Sequence, residues 1–217
     1  MTVTAKICGI NDPAAMEAAL AGGASHVGFV FYPTSPRALD PAGAAALGRL
    51  AAGRARRVGL FVDPDDALID AVLAAGPLEM LQLHGKETPE RLVALKQRTG
   101  IPVMKALSVA ESADIDRANA YLDAADWLMF DGKAPKSMVN AMPGGNAVSF
   151  DWTLLSGRRW PLPWMLAGGL HLGNVAEAVR LSGARVVDCS SGVEDAPGRK
   201  SPAKIAAFLA AVRAIED

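Results

Sequence analysis

The sequence predicts a (β/α)8 barrel, an α/β fold of eight parallel strands closed on themselves and wrapped by helices. Three observations carry this. Eight brief runs of strand character, mostly apolar on both parities, recur along the chain, as expected of strands buried on both faces of a parallel sheet. Ala- and Leu-rich windows of helical length separate them, so the pattern is βα repeated. The first strand-to-helix turn reads CGINDP, with one glycine. The glycine-rich dinucleotide fingerprint of an open doubly wound sheet is therefore missing.

Taken in order, Val3–Cys8 leads to a helix over Pro13–Ala21, His26–Phe31 to Pro41–Ala52, Arg57–Val62 to Asp65–Ala75, and Glu79–Leu83 to Pro89–Arg98. In the second half, Val103–Leu107 leads to Glu111–Leu122, and Trp127–Phe130 to Trp152–Ser156. Trp164–Leu166 then leads to Leu172–Leu181, and Arg185–Asp188 to Pro202–Ile215. Helices start with proline in the first turn at Asp12-Pro13, Asp40-Pro41 and Thr88-Pro89, where the missing N–H costs nothing. The sixth helix and the seventh strand are the weakest units, because Pro161 and Pro163 crowd their boundary. No linker or low-complexity segment interrupts the series, so residues 1–217 read as one barrel domain.

Composition narrows the functional classes. The chain is 51% hydrophobic and 21% charged, ordinary for a soluble globular protein. A net charge of −1 gives no footprint for nucleic acid or an anionic membrane. Arg54, Arg56 and Arg57 form a short basic cluster that reads as a solvated loop. No window approaches the roughly 18 apolar residues of a membrane span, and MTVTAKICGI lacks the pattern of a secretion signal. Two cysteines make no disulfide framework, which fits a reducing cytoplasm. The expected partner is a small molecule.

Barrel active sites form at the C-terminal strand ends and in the loops that follow. Those positions hold Cys8, Arg37, Asp63, His84, Lys105, Asp131, Gly168-Gly169, Asp188 and Ser190-Ser191-Gly192. Small residues in the last two loops let backbone N–H groups approach an anion, so AGGL and SSG together favour a phosphate site. Alone, either motif is equally a tight turn. A lone buried cysteine is by default core packing, Asp131 in FDGK suits a turn, and Arg37 suits a solvated loop. Around one barrel mouth the three become a thiol base, a carboxylic acid and a guanidinium for an anion, which is a site for proton transfer on an anionic substrate.

The motifs KICG, GFVFYPTSPR, LQLHG, LMFDGK, PGGN followed by FDW, AGGL followed by Asn174-Val175, and VDCSSGVE occur in this order. They resemble the phosphoribosylanthranilate isomerase family of tryptophan biosynthesis, from Lys6 to Glu194. The resemblance implies an Amadori rearrangement of N-(5-phosphoribosyl)anthranilate to 1-(2-carboxyphenylamino)-1-deoxyribulose 5-phosphate. It assigns Asp131 as the general acid that protonates the ring oxygen and Cys8 as the general base at C2 of the sugar. Arg37 matches the arginine that holds the anthranilate carboxylate. Gly168, Gly169, Ser190, Ser191 and Gly192 match the phosphate-binding positions. The protonated iminium is itself the electron sink, so neither metal nor other cofactor is needed. Cys8 has to form a thiolate from a reference pKa near ~8.5; a bound phosphate and carboxylate oppose that, while Arg37 favours it.

Further expectations follow for single positions. Ala147 stands where the family has glycine, so a left-handed backbone angle there is disfavoured. The segment Ala134–Met142 has the length of a lid. Cys189 should face the helices as a free structural thiol, by alternation from Asp188. Asp188 orients substrate or Cys8, while His84 reads as structural. Gly9 reads as space for the sugar or the turn. Lys105 either snorkels out or pairs with a carboxylate inside the barrel. Asp151 reads as a helix N-cap. The chain is expected to be a monomer or weak homodimer. Rival readings keep the phosphate site but change the reaction to that of another phosphosugar-isomerising barrel, or discard catalysis for a phosphate-ligand sensor.

Overall fold

The computed structural model describes residues 2–215 except 136, 139–141 and 143. Eight strands, β1 (Thr4–Cys8), β2 (His26–Phe31), β3 (Arg56–Phe61), β4 (Met80–Leu83), β5 (Val103–Val109), β6 (Trp127–Gly132), β7 (Trp164–Leu166) and β8 (Val186–Cys189), pair in chain order. Every pair is parallel, and β8 closes onto β1 with Lys6 level with Asp188. The barrel predicted from the sequence is therefore the fold, with strand boundaries shifted by one or two residues.

Strand alternation sorts the side chains into two cores. Inside the barrel, Val58, Met80, Met104, Ala106, Met129, Met165 and Ala167 pack together. Four are methionines, whose flexible thioethers fill an irregular interior. The opposite parity, including Ile7, Val27, Phe29, Phe61, Leu81, Leu107, Phe130 and Val187, packs against the helices. Ala5 and Ile7 face the helices, so Lys6 and Cys8 face inward. Val187 and Cys189 likewise face out, which turns Asp188 in.

The helices α1 (Pro13–Ala21), α2 (Pro41–Ala51), α3 (Asp66–Ala75) and α4 (Pro89–Thr99) share one start. Asp12, Asp40, Asp65 and Thr88 each accept from the backbone N–H three residues on, satisfying a donor the first turn leaves open. The fifth helical window divides into α5 (Ser112–Asp116) and a 3₁₀ turn, Arg117–Tyr121. The sixth contracts to one 3₁₀ turn, Trp152–Leu155, capped by Asp151 as expected. Two units end the chain, α6 (Val175–Ser182) and α7 (Pro202–Arg213). Between β8 and α7 lies a small hairpin, β9 (Glu194–Ala196) with β10 (Arg199–Lys200). The sequence reading missed it, because strands of three and two largely charged residues carry no hydrophobic period. Among the described residues no helix is long and apolar enough to cross a membrane.

Lys105 pairs with a carboxylate, but outside the barrel interior and buried. It points out of the barrel, where its Nζ donates to Glu87 Oε2 at 2.7 Å and to the Gly85 carbonyl at 2.8 Å. Its carboxylate partner therefore lies on the helix side, holding the loop after β4.

Candidate active site

Cys8, Arg37, Asp131, Gly168, Gly169, Asp188, Ser190 and Ser191 line one cavity at the C-terminal mouth of the barrel. Gly192 does not line it. That residue packs against the Leu170 carbonyl and His171, where a side chain would collide, and so joins the loops after β7 and β8. Gly168 and Gly169 adopt φ of +93° and +63° in succession, a path that L side chains resist. A Cβ on Gly169 would come within 3.0 Å of the Ser149 amide nitrogen. Asn174 braces this turn, donating to the Gly169 carbonyl at 3.0 Å and accepting from the His171 N–H at 2.8 Å.

Cys8 ends β1 on the inward face and is 4% exposed. Burial pushes its thiol above the ordinary range, Lys6 and Lys200 pull it back, and Asp188 adds to the rise. The cations that act most strongly on Cys8 are thus the two lysines. Lys6 is fully buried and donates to Asp188 Oδ1 at 2.8 Å. Burial alone would lower the Lys6 ammonium, but the charges of Asp188 and Cys8 outweigh it and hold the group above the usual lysine range.

Asp131 is next to last in β6, a strand that does not neighbour β1, and its Oδ2 lies 3.2 Å from His84 Nε2. The contact is off-line for a hydrogen bond, leaving that nitrogen without a hydrogen-bond partner. His84, expected to be structural, forms the cavity wall beside Asp131. Gly144 covers the pair from the loop after β6: a Cβ there would come within 2.9 Å of Asp131 Oδ2.

Arg37 is 5% exposed. Its Nε and Nη2 donate to Glu194 at 2.7 and 2.9 Å, a bidentate pair that fixes the guanidinium plane. Its stem crosses Gly9, where a Cβ would lie 2.7 Å from Arg37 Cδ. Gly9 therefore makes room for Arg37 and, at φ of +75°, makes the turn, one of its two expected roles. Glu194 also accepts from Lys200 Nζ at 2.7 Å. Burial raises the Glu194 carboxyl, but Arg37 and Lys200 more than offset that and hold it below the usual range. Lys200 donates in turn to the Ser190 carbonyl at 2.9 Å. One buried chain of charges thus ties the Arg37 guanidinium to the SSG loop.

The sequence reading missed Lys6, His84, Glu194 and Lys200 as site residues. Lys6 and Glu194 lay inside recognised motifs, and His84 at a strand end; Lys200 had no local signal.

Ala147 adopts φ of +56°, so the left-handed angle disfavoured by its methyl is nonetheless taken. The lid expected over Ala134–Met142 lies partly outside the described residues. Cys189 points outward as alternation predicts, with its Sγ donating to the Leu170 carbonyl at 3.1 Å; both cysteines are free. Among the described residues no three His, Cys, Asp or Glu side chains cluster to hold a metal. What the cavity offers is a thiol and a carboxyl on separate walls, a fixed guanidinium and two small-residue loops.

Comparison with known proteins gives a consistent result. Residues 5–211 match the family model of N-(5'-phosphoribosyl)anthranilate (PRA) isomerase. The N-(5'-phosphoribosyl)anthranilate isomerase of Rhodospirillum centenum is 59% identical over 215 residues, covering 99% of this chain and 100% of that protein. The phosphoribosyl anthranilate isomerase structure from Thermotoga maritima superposes with a TM-score of 0.85 at 34% identity, covering 97% of this chain and 98% of that one. Another such isomerase, in complex with reduced 1-(o-carboxyphenylamino)-1-deoxyribulose 5-phosphate, superposes with a TM-score of 0.81 at 32% identity, covering the same shares.

Proposed function

The chain belongs to the N-(5'-phosphoribosyl)anthranilate isomerase family and catalyses that Amadori rearrangement in tryptophan biosynthesis, and on this premise we propose which of its residues do so. Asp131 is the general acid and Cys8 the general base. Asp131 donates its proton to the furanose ring oxygen, and the C1–O bond breaks to leave an open-chain iminium. The Cys8 thiolate takes the proton from C2, and the electron pair of that C–H bond moves into the iminium to give an enolamine. Tautomerisation of the enolamine yields the ketone. Arg37 holds the anthranilate carboxylate and Asp188 orients the substrate. The loops at Gly168-Gly169 and Ser190-Ser191 hold the phosphate, with Gly192 joining them.

The observation that carries this reading is the placement of thiol and carboxyl on two non-neighbouring strands, β1 and β6, that line a single cavity. An acid for the ring oxygen and a base for C2 have to reach different atoms of one sugar. Positioned proton transfer of this kind contributes about 10²–10⁴-fold in rate. Cys8→Ala and Asp131→Ala should therefore each lower kcat by about that factor, read as slower loss of anthranilate fluorescence. Near-native turnover by either variant removes the corresponding role.

The same reading takes residues 1–217 as one domain at work in the cytoplasm, as a monomer or weak homodimer. Sedimentation over a range of protein concentrations tests the last point, and a tight, concentration-independent dimer would contradict it.

A further inference from the structure

Lys6 is used by nothing in the mechanism above, yet it is among the largest fully buried side chains of the protein. A lysine inside a barrel is costly unless its charge is paired. It sits two residues before Cys8 on the same strand, hence on the same inward face one layer below. Across β8 its partner is Asp188, at 2.8 Å. On β2 His26 is level with Lys6, and the next inward position carries no side chain. Gly28 is level with Cys8, and a Cβ built on Gly28 would lie 2.9 Å from Cys8 Sγ and 3.1 Å from Lys6 Nζ. Both side chains thus end against one notch, which only a glycine on β2 leaves open.

We infer that Lys6 is a positioning residue for the reaction, the buried cation that stabilises the thiolate of Cys8 through the Gly28 notch. The inference rests on Cys8 as the base. Lys6 stays protonated throughout: the proton from C2 goes to Sγ, and Lys6 supplies only charge. The groups that face Cys8 support this division. On β1 Lys6 favours the thiolate, on β8 Asp188 opposes it, and Lys200 from the β9–β10 hairpin favours it more weakly. Arg37 lies over Gly9 with both its donating nitrogens on Glu194, and Asp131 with His84 stands on the β6 and β4 walls. Asp188 keeps Lys6 charged without cancelling it, because Lys6 acts on Cys8 more strongly than Asp188 does.

If Lys6 and Asp188 were only a structural ion pair, removing either partner would have the same kind of effect. Under the inference the two removals move Cys8 in opposite directions. The test is the pH dependence of Cys8 alkylation by iodoacetamide in a Cys189→Ala background, with the kcat/KM profile measured alongside. Lys6→Met should slow alkylation at pH 8 by about tenfold or more and move the basic limb of kcat/KM upward by at least about one pH unit. Asp188→Asn should accelerate alkylation.

The double variant Lys6→Met/Asp188→Asn leaves no buried unpaired charge and should still be slow, so the test survives if Lys6→Met does not fold. Gly28→Ala removes no charge, but should slow alkylation by closing the notch. Folding of each variant is checked by circular dichroism. Unchanged alkylation in folded Lys6→Met or in the double variant, or the same direction of change for Lys6→Met and Asp188→Asn, would overturn the inference. Alkylation reads the thiol without turnover. Should Cys8→Ala retain activity, the base assignment fails while the Lys6 effect on the thiol is still measured.

Discussion

At Gly9 the chain omits a side chain so that Arg37 can cross to Glu194, and the cation proposed to hold the anthranilate carboxylate is aimed by residues far from it in sequence. Glu194 accepts from both Arg37 and Lys200, so Glu194→Gln would free the guanidinium to rotate and leave Lys200 less well paired. KM should rise by about tenfold with a smaller change in kcat, as when binding common to ground and transition states is lost. Arg37→Ala should show the same split. An unchanged KM in steady-state assays of Glu194→Gln would remove the aiming role. His26 gives a prediction of another kind, at the base of the barrel. Its ring is buried edge-on to Trp127, and burial, with Lys6 and Arg56, lowers its pKa from 6.5 to about 4. Between those values the unfolded chain binds a proton that the folded chain does not. Stability therefore falls as pH falls from about 6.5 towards 4 and levels off below. Between pH 7 and pH 5 the contribution lost is about 2 kcal/mol. Urea unfolding should show that much less loss in His26→Gln than in the parent, and equal losses would show that His26 does not titrate in this window.

The elements were legible wherever a local rule governs them. Aspartate or threonine followed by proline marked three helix starts, and the caps are made by those residues. The units flagged as weak are irregular, the sixth helix being a single 3₁₀ turn and β7 having three residues, while the split of the fifth helix was not foreseen. The loop after β6 shows local preference overruled. Ala147 takes a left-handed angle, in a loop closed by Asn146 accepting from Met142 N–H at 2.9 Å and donating to its carbonyl. An alanine in that conformation costs about 1 kcal/mol. Ala147→Gly relieves that strain but gives the unfolded chain more freedom, an opposing term of about 0.4–1 kcal/mol. Chemical unfolding should then change by less than about 0.5 kcal/mol, and a larger loss would mean that the exposed methyl makes contacts of its own.

For the whole molecule, closure of the barrel divides one sequence pattern into two cores. The runs apolar on both parities do not say which residues face in. Closure assigns Met80, Met104, Met129 and Met165 to the interior beneath the site. Met129 is fully buried and its sulfur accepts from Gln82 Nε2. Met129→Ala should cost about 2–5 kcal/mol through lost contacts and a cavity that eight closed strands cannot collapse. A loss below about 1 kcal/mol in urea unfolding would show the interior to be loosely packed.

By itself the sequence determined the succession of eight βα units, most strand ends, and therefore which residues stand at the barrel mouth. Those are matters of local period, caps and turns, each written within a few neighbouring residues. Only the tertiary structure decided which charge meets which. Lys6 is paired with Asp188 across 182 positions, Arg37 with Glu194 across 157, and His84 is set beside Asp131. No local period encodes such partners. They exist because β8 closes onto β1 and the loops at one end of the barrel converge, and burial there leaves a charge no partner but the one that closure supplies.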